Sequence, residues 1–288
     1  MDGSSDESDE IARFVAEAAA HAPSVSDTAP WWFSATDSSV CVRADVERKL
    51  PVADPSAREL TISCGAAVFT ARVAMRYRGL LPAARELPEA QVPNLIATIG
   101  WAGEHRPPGD YERSLFAQIP LRRTHRGGYD SDLLPVGMMS RLSEEAGREQ
   151  ASLRIMAADD HRAALLAVMA AADSAFRLDD ARVREGATWS PPDGEEDGLA
   201  PGTAGIVAVL ATRSDERADW VRAGQALQRI LLVAGCQGVE VAISARALEF
   251  GQLRDFVAAE LAEGEIPQLL LRFGMMRRRS QGATAPAR

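Results

Sequence analysis

The sequence predicts a mixed helix-and-strand chain made of two repeated halves. Three observations carry that reading. Long runs place apolar residues every three or four positions, as helices facing a core do, and short β-rich runs lie between them. One unit also recurs: setting Cys64–Leu80 against Ala223–Val239 aligns Gly65 with Gly224, Ala67 with Ala226 and Gly79 with Gly238 at one offset, 224 − 65 = 159, without a gap. The strands that follow match as well, Pro93-Asn94-Leu95 ending at Gly100 and Pro267-Gln268-Leu269 ending at Gly274. Two matches in the same order argue for duplication, against chance resemblance between alanine-rich helices. Glycine in mid-helix costs about 1 kcal/mol against alanine, so Gly65 and Gly224 are expected to admit a close helix-to-helix approach. The two long helices would then pack across a pseudo-two-fold axis, as a homodimer's do.

In chain order, residues 1–8 are charged and poor in apolar side chains, which predicts a disordered acidic lead. Ile11, Phe14, Val15, Ala18 and Ala19 give residues 9–21 a helical period that stops before Pro23. Trp31–Thr36 and Val40–Ala44 read as a hairpin turning at Asp37-Ser38-Ser39. Leu60, Cys64, Ala67, Val68, Ala71 and Met75 predict a long helix over 57–78, ended by Gly79. Pro93–Gly100 reads as a buried strand, closing a first half of 9–102. Residues 103–118, with Pro107-Pro108-Gly109, read as a linker.

The second half is expected over 119–276. It should hold a helix within Ser131–Glu149, although Pro135 and Gly137 argue against a helical start. A strand follows near Ala151–Ala157, then an alanine-rich helix over Asp159–Leu178. Arg184–Thr203 reads as a Gly/Pro/acidic loop and Ile206–Thr212 as a buried strand. A helix over Asp215–Gly235 and a strand over Pro267–Gly274 complete the half. Residues 277–288 should be a disordered tail.

Composition narrows the function. The 288 residues are 46% hydrophobic, enough to supply a full core. No run is long and apolar enough to span a bilayer, and the acidic N-terminus is unlike a secretory signal, so a cytoplasmic protein is expected. A net charge of −9 disfavours nucleic-acid and anionic-membrane partners. Cys41, Cys64 and Cys236 are too scattered for a disulfide framework or zinc site and read as buried small apolar residues. The four histidines are far apart and show no metal-ligand spacing. Only one basic residue, Lys49, is lysine, so 32 − 1 = 31 are arginine, and arginine alone is a weak signal here.

One cluster stands out by position. Arg122-Arg123-Thr124-His125-Arg126 opens the second half, and its guanidinium forks beside a hydroxyl could form an anion socket. Taken alone, five such residues also describe a solvated basic turn. The first half begins without a counterpart. It has instead the loop Ala22-Pro23-Ser24, where the second has Asp173-Ser174-Ala175-Phe176 after Ala170-Ala171-Ala172, read as the equivalent alanine-rich helix. Such a pseudo-dimer would keep one composite site of a possible two, with loop 22–30 of one half facing residues 122–126 of the other.

These residues resemble nitroreductase-fold, FMN-dependent flavoproteins, in their fused single-chain, Acg-like branch. The likeness runs from about Ile11 to Gly274. It rests on Ala22-Pro23-Ser24 with Pro30-Trp31, on Arg122-Arg123-Thr124-x-Arg126, on Trp220-x-Arg222-Ala223-Gly224-Gln225-Ala226-Leu227, and on Pro267-Gln268-Leu269. The resemblance implies an α+β nitroreductase-like fold: two fused repeats forming an intramolecular pseudo-dimer, with mostly antiparallel sheets wrapped by helices. It implies FMN between the halves, its phosphate and ribityl chain on Arg122, Arg123, Thr124 and Arg126, its ring edge near Ser24 and Asp27, and Trp31 as an apolar wall. No side chain would be catalytic, because the flavin carries the chemistry. The chain departs from the family pattern at Asp27, where Asn is expected, and at Ala29, where Gln is expected. An amide can donate to a flavin carbonyl, whereas a carboxylate only accepts. The 177–205 stretch also looks shorter than the family's lid region.

Three functions follow from the resemblance. The first is an NAD(P)H-dependent oxidoreductase that reduces a small organic acceptor, as a monomer or weak dimer. The second is a protein that holds or sequesters flavin with little turnover. The third is a pseudoenzyme scaffold that has lost flavin.

Overall fold

Each half of the chain builds a four-stranded sheet, and the two sheets share one strand order. The computed structural model describes residues 3–36, 39–102, 105–124, 129, 133–189 and 204–275. The first half holds α1 (Gly3–Ala19), β1 (Trp31–Thr36), β2 (Ser39–Ala44), α2 (Arg58–Tyr77), β3 (Leu81–Glu86) and β4 (Leu95–Ala102), with the sheet in the order β1-β2-β4-β3. Helix α3 (Asp110–Gln118) leads to the second half. That half holds α4 (Met138–Gly147), β5 (Ser152–Ile155), α5 (Asp159–Leu178), α6 (Asp180–Trp189), β6 (Ile206–Thr212), α7 (Arg217–Gly235), β7 (Glu240–Ser244), α8 (Gly251–Phe256) and β8 (Ile266–Gly274), with the sheet in the order β5-β6-β8-β7. Every neighbouring pair of strands is antiparallel. The bulge between Val42 and Arg43 on β2 has its counterpart between Leu210 and Ala211 on β6, each opposite the last strand of its sheet. The α+β architecture is therefore as expected, and the halves are topologically equivalent.

The core sits where α2 and α7 meet. Most residues of both helices are buried. They run side by side: Gly65 lies by Gly224, Phe69 by Arg229 and Thr70 by Gln228, a nearly constant separation in sequence. Each helix also begins with an arginine that reaches into the other half. Arg58 donates to the Gln268 carbonyl at the start of β8, and Arg217 donates to the Pro93 carbonyl just before β4, both at 2.7 Å. These two arginines are related by the same offset, 58 + 159 = 217. Asp54 caps the first turn of α2 by accepting the Leu60 N–H at 2.9 Å, supplying one of the partners that helix N-termini lack.

The sheets are covered unequally. In the first half α1 and α2 close one face of the sheet around Ile11, Val15, Trp31, Val40 and Val42. In the second, α4 and α7 pack on one face while α5 covers the other, where Leu165, Val168 and Met169 meet Val207, Val209 and Leu270. This inequality corrects the expected pairing of Ala170–Ala172 with the alanine-rich first helix. By topology α4 is the counterpart of α1, and α5 with α6 is inserted between β5 and β6, where the first half has a hairpin turn. Alanine richness marks helix-forming tendency and says nothing about topological place.

Other boundaries also move. Helix α1 begins at Gly3 and so takes in most of the lead expected to be disordered. The expected linker contains α3, whose Leu115 is buried and whose Phe116 stacks on Tyr77 with ring centroids 3.9 Å apart. Glu112 accepts the Gly109 N–H at 2.9 Å to start that helix. Helix α4 starts only at Met138, after Pro135 and Gly137, the latter at φ +76°. Helix α6 occupies part of the expected 184–203 loop, of which residues 190–203 lie outside the described residues, as does the 277–288 tail. Cys41 and Cys64 are buried as expected, whereas Cys236 is half-buried. Among the described residues, no helix is long and apolar enough to cross a membrane.

Candidate functional site

The loop between α1 and β1 is a tightly tied turn. Ser24 Oγ accepts the Ala29 N–H at 2.9 Å, Thr28 Oγ1 donates to the Val25 carbonyl at 2.8 Å, and Arg48 donates to the Thr28 carbonyl at 2.8 Å. The Val25 N–H donates to Ser63 Oγ on α2 at 3.0 Å, and Ser63 donates to the Glu59 carbonyl at 2.7 Å. Within this frame Ser26, Asp27 and Ala29 take left-handed backbone angles, at φ 46°, 54° and 43°. Aspartate tolerates that region better than alanine does. Three such residues in four persist only where surrounding bonds over-determine the turn, a pattern common at ligand sites. The turn presents Asp27 to solvent.

Across from it stands Arg122. Helix α3 places this residue: buried Ile119 anchors the end of the helix, and the Arg122 N–H donates to the Gln118 carbonyl at 2.8 Å. Arg122 Nη2 donates to the His21 carbonyl of the first half at 3.1 Å, and Nη1 donates to Thr124 Oγ1 at 3.2 Å. Its Nε–H is buried and has no hydrogen-bond partner among the described residues. Burial pulls the guanidinium below its ordinary pKa; Asp27 opposes that pull and Arg123 adds to it. A buried, unsatisfied N–H of a cation is costly, and an incoming anion would supply its acceptor.

The structure thus brings Arg122, Thr124 and Asp27 together across the two halves. Arg123 is exposed beside them, and Arg126 lies outside the described residues. Ser24 spends its acceptor on its own loop. Trp31 is 9% exposed and packs in the first-half core with Ile11 and Val15, so it forms no wall of this site. In a half-buried edge strand successive side chains alternate faces, and Trp31 takes the inner one while Trp32 faces out beneath Arg43. Sequence reasoning missed His21, which acts through its backbone carbonyl, and Ser63, which sits in the middle of an apolar helix. Neither carries a readable signal.

The two remaining sequence signatures have structural partners elsewhere. Trp220 Nε1 donates to Asp215 at 2.7 Å; Arg222 pairs with Glu86 at 3.2 Å. Gln225 donates to Glu86 and accepts from Arg72, each at 2.7 Å. Gln268 Nε2 donates to Thr212 at 2.9 Å while its backbone carbonyl accepts from Arg58. Most of these bonds join the halves.

Similarity across nearly the whole chain fits that arrangement. A Mycobacterium tuberculosis (H37Rv) protein provisionally named an NAD(P)H nitroreductase is 29% identical over 297 residues, 92% of this chain and 85% of the relative. Over nearly its whole length the chain is thus similar to proteins named for nitroreductase activity. The likewise provisionally named NAD(P)H nitroreductase Acg of the same organism is 26% identical over 305 residues, 92% of this chain and 89% of the relative. A third protein of that organism, uncharacterized, is 26% identical over 293 residues. No family model matches the sequence. Among solved structures, a nitroreductase with bound FMN from Bacteroides fragilis is similar over 60% of this chain and 94% of its own, with a TM-score of 0.41 and 12% identity. One from Desulfitobacterium hafniense, also with bound FMN, has a TM-score of 0.39 and 13% identity.

Proposed function

We propose that the chain is an FMN-binding oxidoreductase that takes electrons from NAD(P)H and passes them to a small organic acceptor at one composite site between the halves. The observation that carries this reading is Arg122, whose buried Nε–H has no partner among the described residues and lies beside the left-handed turn of the other half. The names of the mycobacterial relatives point the same way. Arg122 and Thr124 would hold the phosphate, and Arg123 would add positive charge at the mouth. Bound FMN would supply the two-electron chemistry, for which the protein need provide no nucleophile or acid. Asp27 would set the field: its carboxylate draws on Arg122 and disfavours extra negative charge nearby.

That last feature favours a second reading, a protein that holds flavin with little turnover. Purified chain separates the two. FMN titration followed by visible absorbance should saturate at one flavin per chain, and NAD(P)H should then bleach it. Bound flavin that NAD(P)H cannot bleach leaves the holding function, and a chain that ignores FMN removes both.

A further inference from the structure

The turn that carries Asp27 is held from three sides. Its own Ser24 accepts the Ala29 N–H, and Ser63 of α2 accepts the Val25 N–H. The third side is the short stretch Asp45–Arg48 that follows β2. The Asp45 N–H donates to the Pro30 carbonyl at 3.0 Å, at the far end of the turn. Arg48 Nη1 donates to the Thr28 carbonyl at 2.8 Å and lies 3.5 Å from the Ala29 carbonyl. Asp45 steers that guanidinium by accepting its Nε–H at 3.1 Å, while its other carboxylate oxygen accepts the Glu47 N–H at 3.3 Å. The carbonyls of three successive residues, Thr28, Ala29 and Pro30, therefore face donors from one segment.

Those carbonyls belong to backbone that does not keep its shape unaided. Serine and alanine disfavour left-handed angles, because Cβ crowds the carbonyl oxygen, yet Ser26 and Ala29 take them on either side of Asp27 and Thr28. Thr28 is 1% exposed, so its carbonyl relies on a protein donor, and among the described residues Arg48 supplies it. The second half lacks both parts of this device. Residues 148–151 join α4 to β5 directly, where residues 20–30 join α1 to β1. In the equivalent stretch after β6, Asp215 pairs with Arg254 of its own half at 2.7 Å. The clamp therefore goes with the turn and with Arg122, which also lacks a counterpart, and is not a requirement of the repeated fold.

We propose that Arg48 is a positioning residue of the composite site: by clamping the left-handed turn it keeps the Asp27 carboxylate in one place relative to Arg122, and so sets the negative field at a bound flavin. The effect on flavin rests on the FMN-binding reading; the clamp itself does not. A freed turn spreads Asp27 over many positions in water, where its charge is screened. Loosening the turn then acts like removing that charge and raises the flavin's reduction potential. Losing Arg48 merely as a half-exposed cation would instead lower it slightly. The two roles have opposite signs.

Two measurements on the purified full chain test this. Arg48→Met keeps most of the side chain's length without its donors. Hydrogen–deuterium exchange of that variant, with no FMN added, should show protection of the amides of residues 27–29 and 31 falling about tenfold, the equivalent of one charge-assisted hydrogen bond. Arg48→Lys retains a charged donor and should recover much of that protection. With FMN bound, spectroelectrochemistry should give Arg48→Met a higher potential than wild type, whereas in an Asp27→Asn background the same substitution should change the potential little. Should Arg48→Met not fold, Asp45→Asn unhooks the guanidinium and should show both effects in smaller degree. Unchanged protection overturns the clamp. A potential that falls, stays the same or shifts equally in both backgrounds overturns the positioning role. A chain that ignores FMN removes the flavin reading and with it the effect on potential, and exchange then decides whether Arg48 holds the turn.

Discussion

Gly65 on α2 and Gly224 on α7 face each other at the crossing of the two central helices. A Cβ built on Gly65 would lie 2.2 Å from the Val221 carbonyl oxygen, and one on Gly224 would lie 1.9 Å from the Ile62 carbonyl oxygen. The contacts are reciprocal, since 62 + 159 = 221 and 65 + 159 = 224. The obstructing atoms are backbone, which cannot rotate aside. Gly224→Ala should therefore destabilise the fold by about 2 kcal/mol or more, since overpacking commonly costs 1 to 3. Gly147→Ala, near the end of α4 with nothing within 4 Å, serves as the control and should change stability little. Urea denaturation of both variants measures the difference.

Arg122→Ala should weaken FMN binding about tenfold or more, the equivalent of one charge-assisted hydrogen bond. Arg277→Ala, in the other arginine-rich stretch, should change it little. Arg122 is fixed by the His21 carbonyl and Thr124, so the N–H that lacks a partner among the described residues is already aimed. Equal losses in fluorescence titrations of the two variants would mean that bulk positive charge holds the anion.

Asp27→Asn should tighten FMN binding and raise the reduction potential of the bound flavin. The substitution removes a negative charge that offsets Arg122 and would oppose the anionic reduced ring. Asp27 is exposed, so screening moderates the effect. Affinity and spectroelectrochemical potential, measured on both proteins, decide it; two unchanged values would place residue 27 outside the flavin site.

Trp31→Ala should cost about 3 to 5 kcal/mol of stability, the usual loss for truncating a buried aromatic. The folded variant should retain near-normal FMN affinity, because the indole packs in the first-half core with Ile11 and Val15. Chemical denaturation and FMN titration of the same preparation separate the two effects.

The sequence by itself determined the two halves and the place of their union. Helical spacing located α2, α5 and α7 nearly to their ends, because a buried helix must repeat its apolar face every three or four residues. The shared offset singled out Gly65 and Gly224, because only glycine lets two backbones approach so closely. The basic cluster and the loop carrying Asp27 were legible as an unequal pair for the same reason: each lacks a partner in the other half. Short or half-exposed elements were not legible. β3, with its Leu-Pro-Ala-Ala-Arg-Glu sequence, shows no clean alternation, and β7 is five residues long. Only the tertiary structure decided which face Trp31 takes, since a one-residue change of register would turn it outward. It also decided that α5 and α6 are an insertion and that the His21 carbonyl anchors Arg122. The second depends on a contact between residues 122 − 21 = 101 positions apart, and local patterning carries no information about which distant groups will meet.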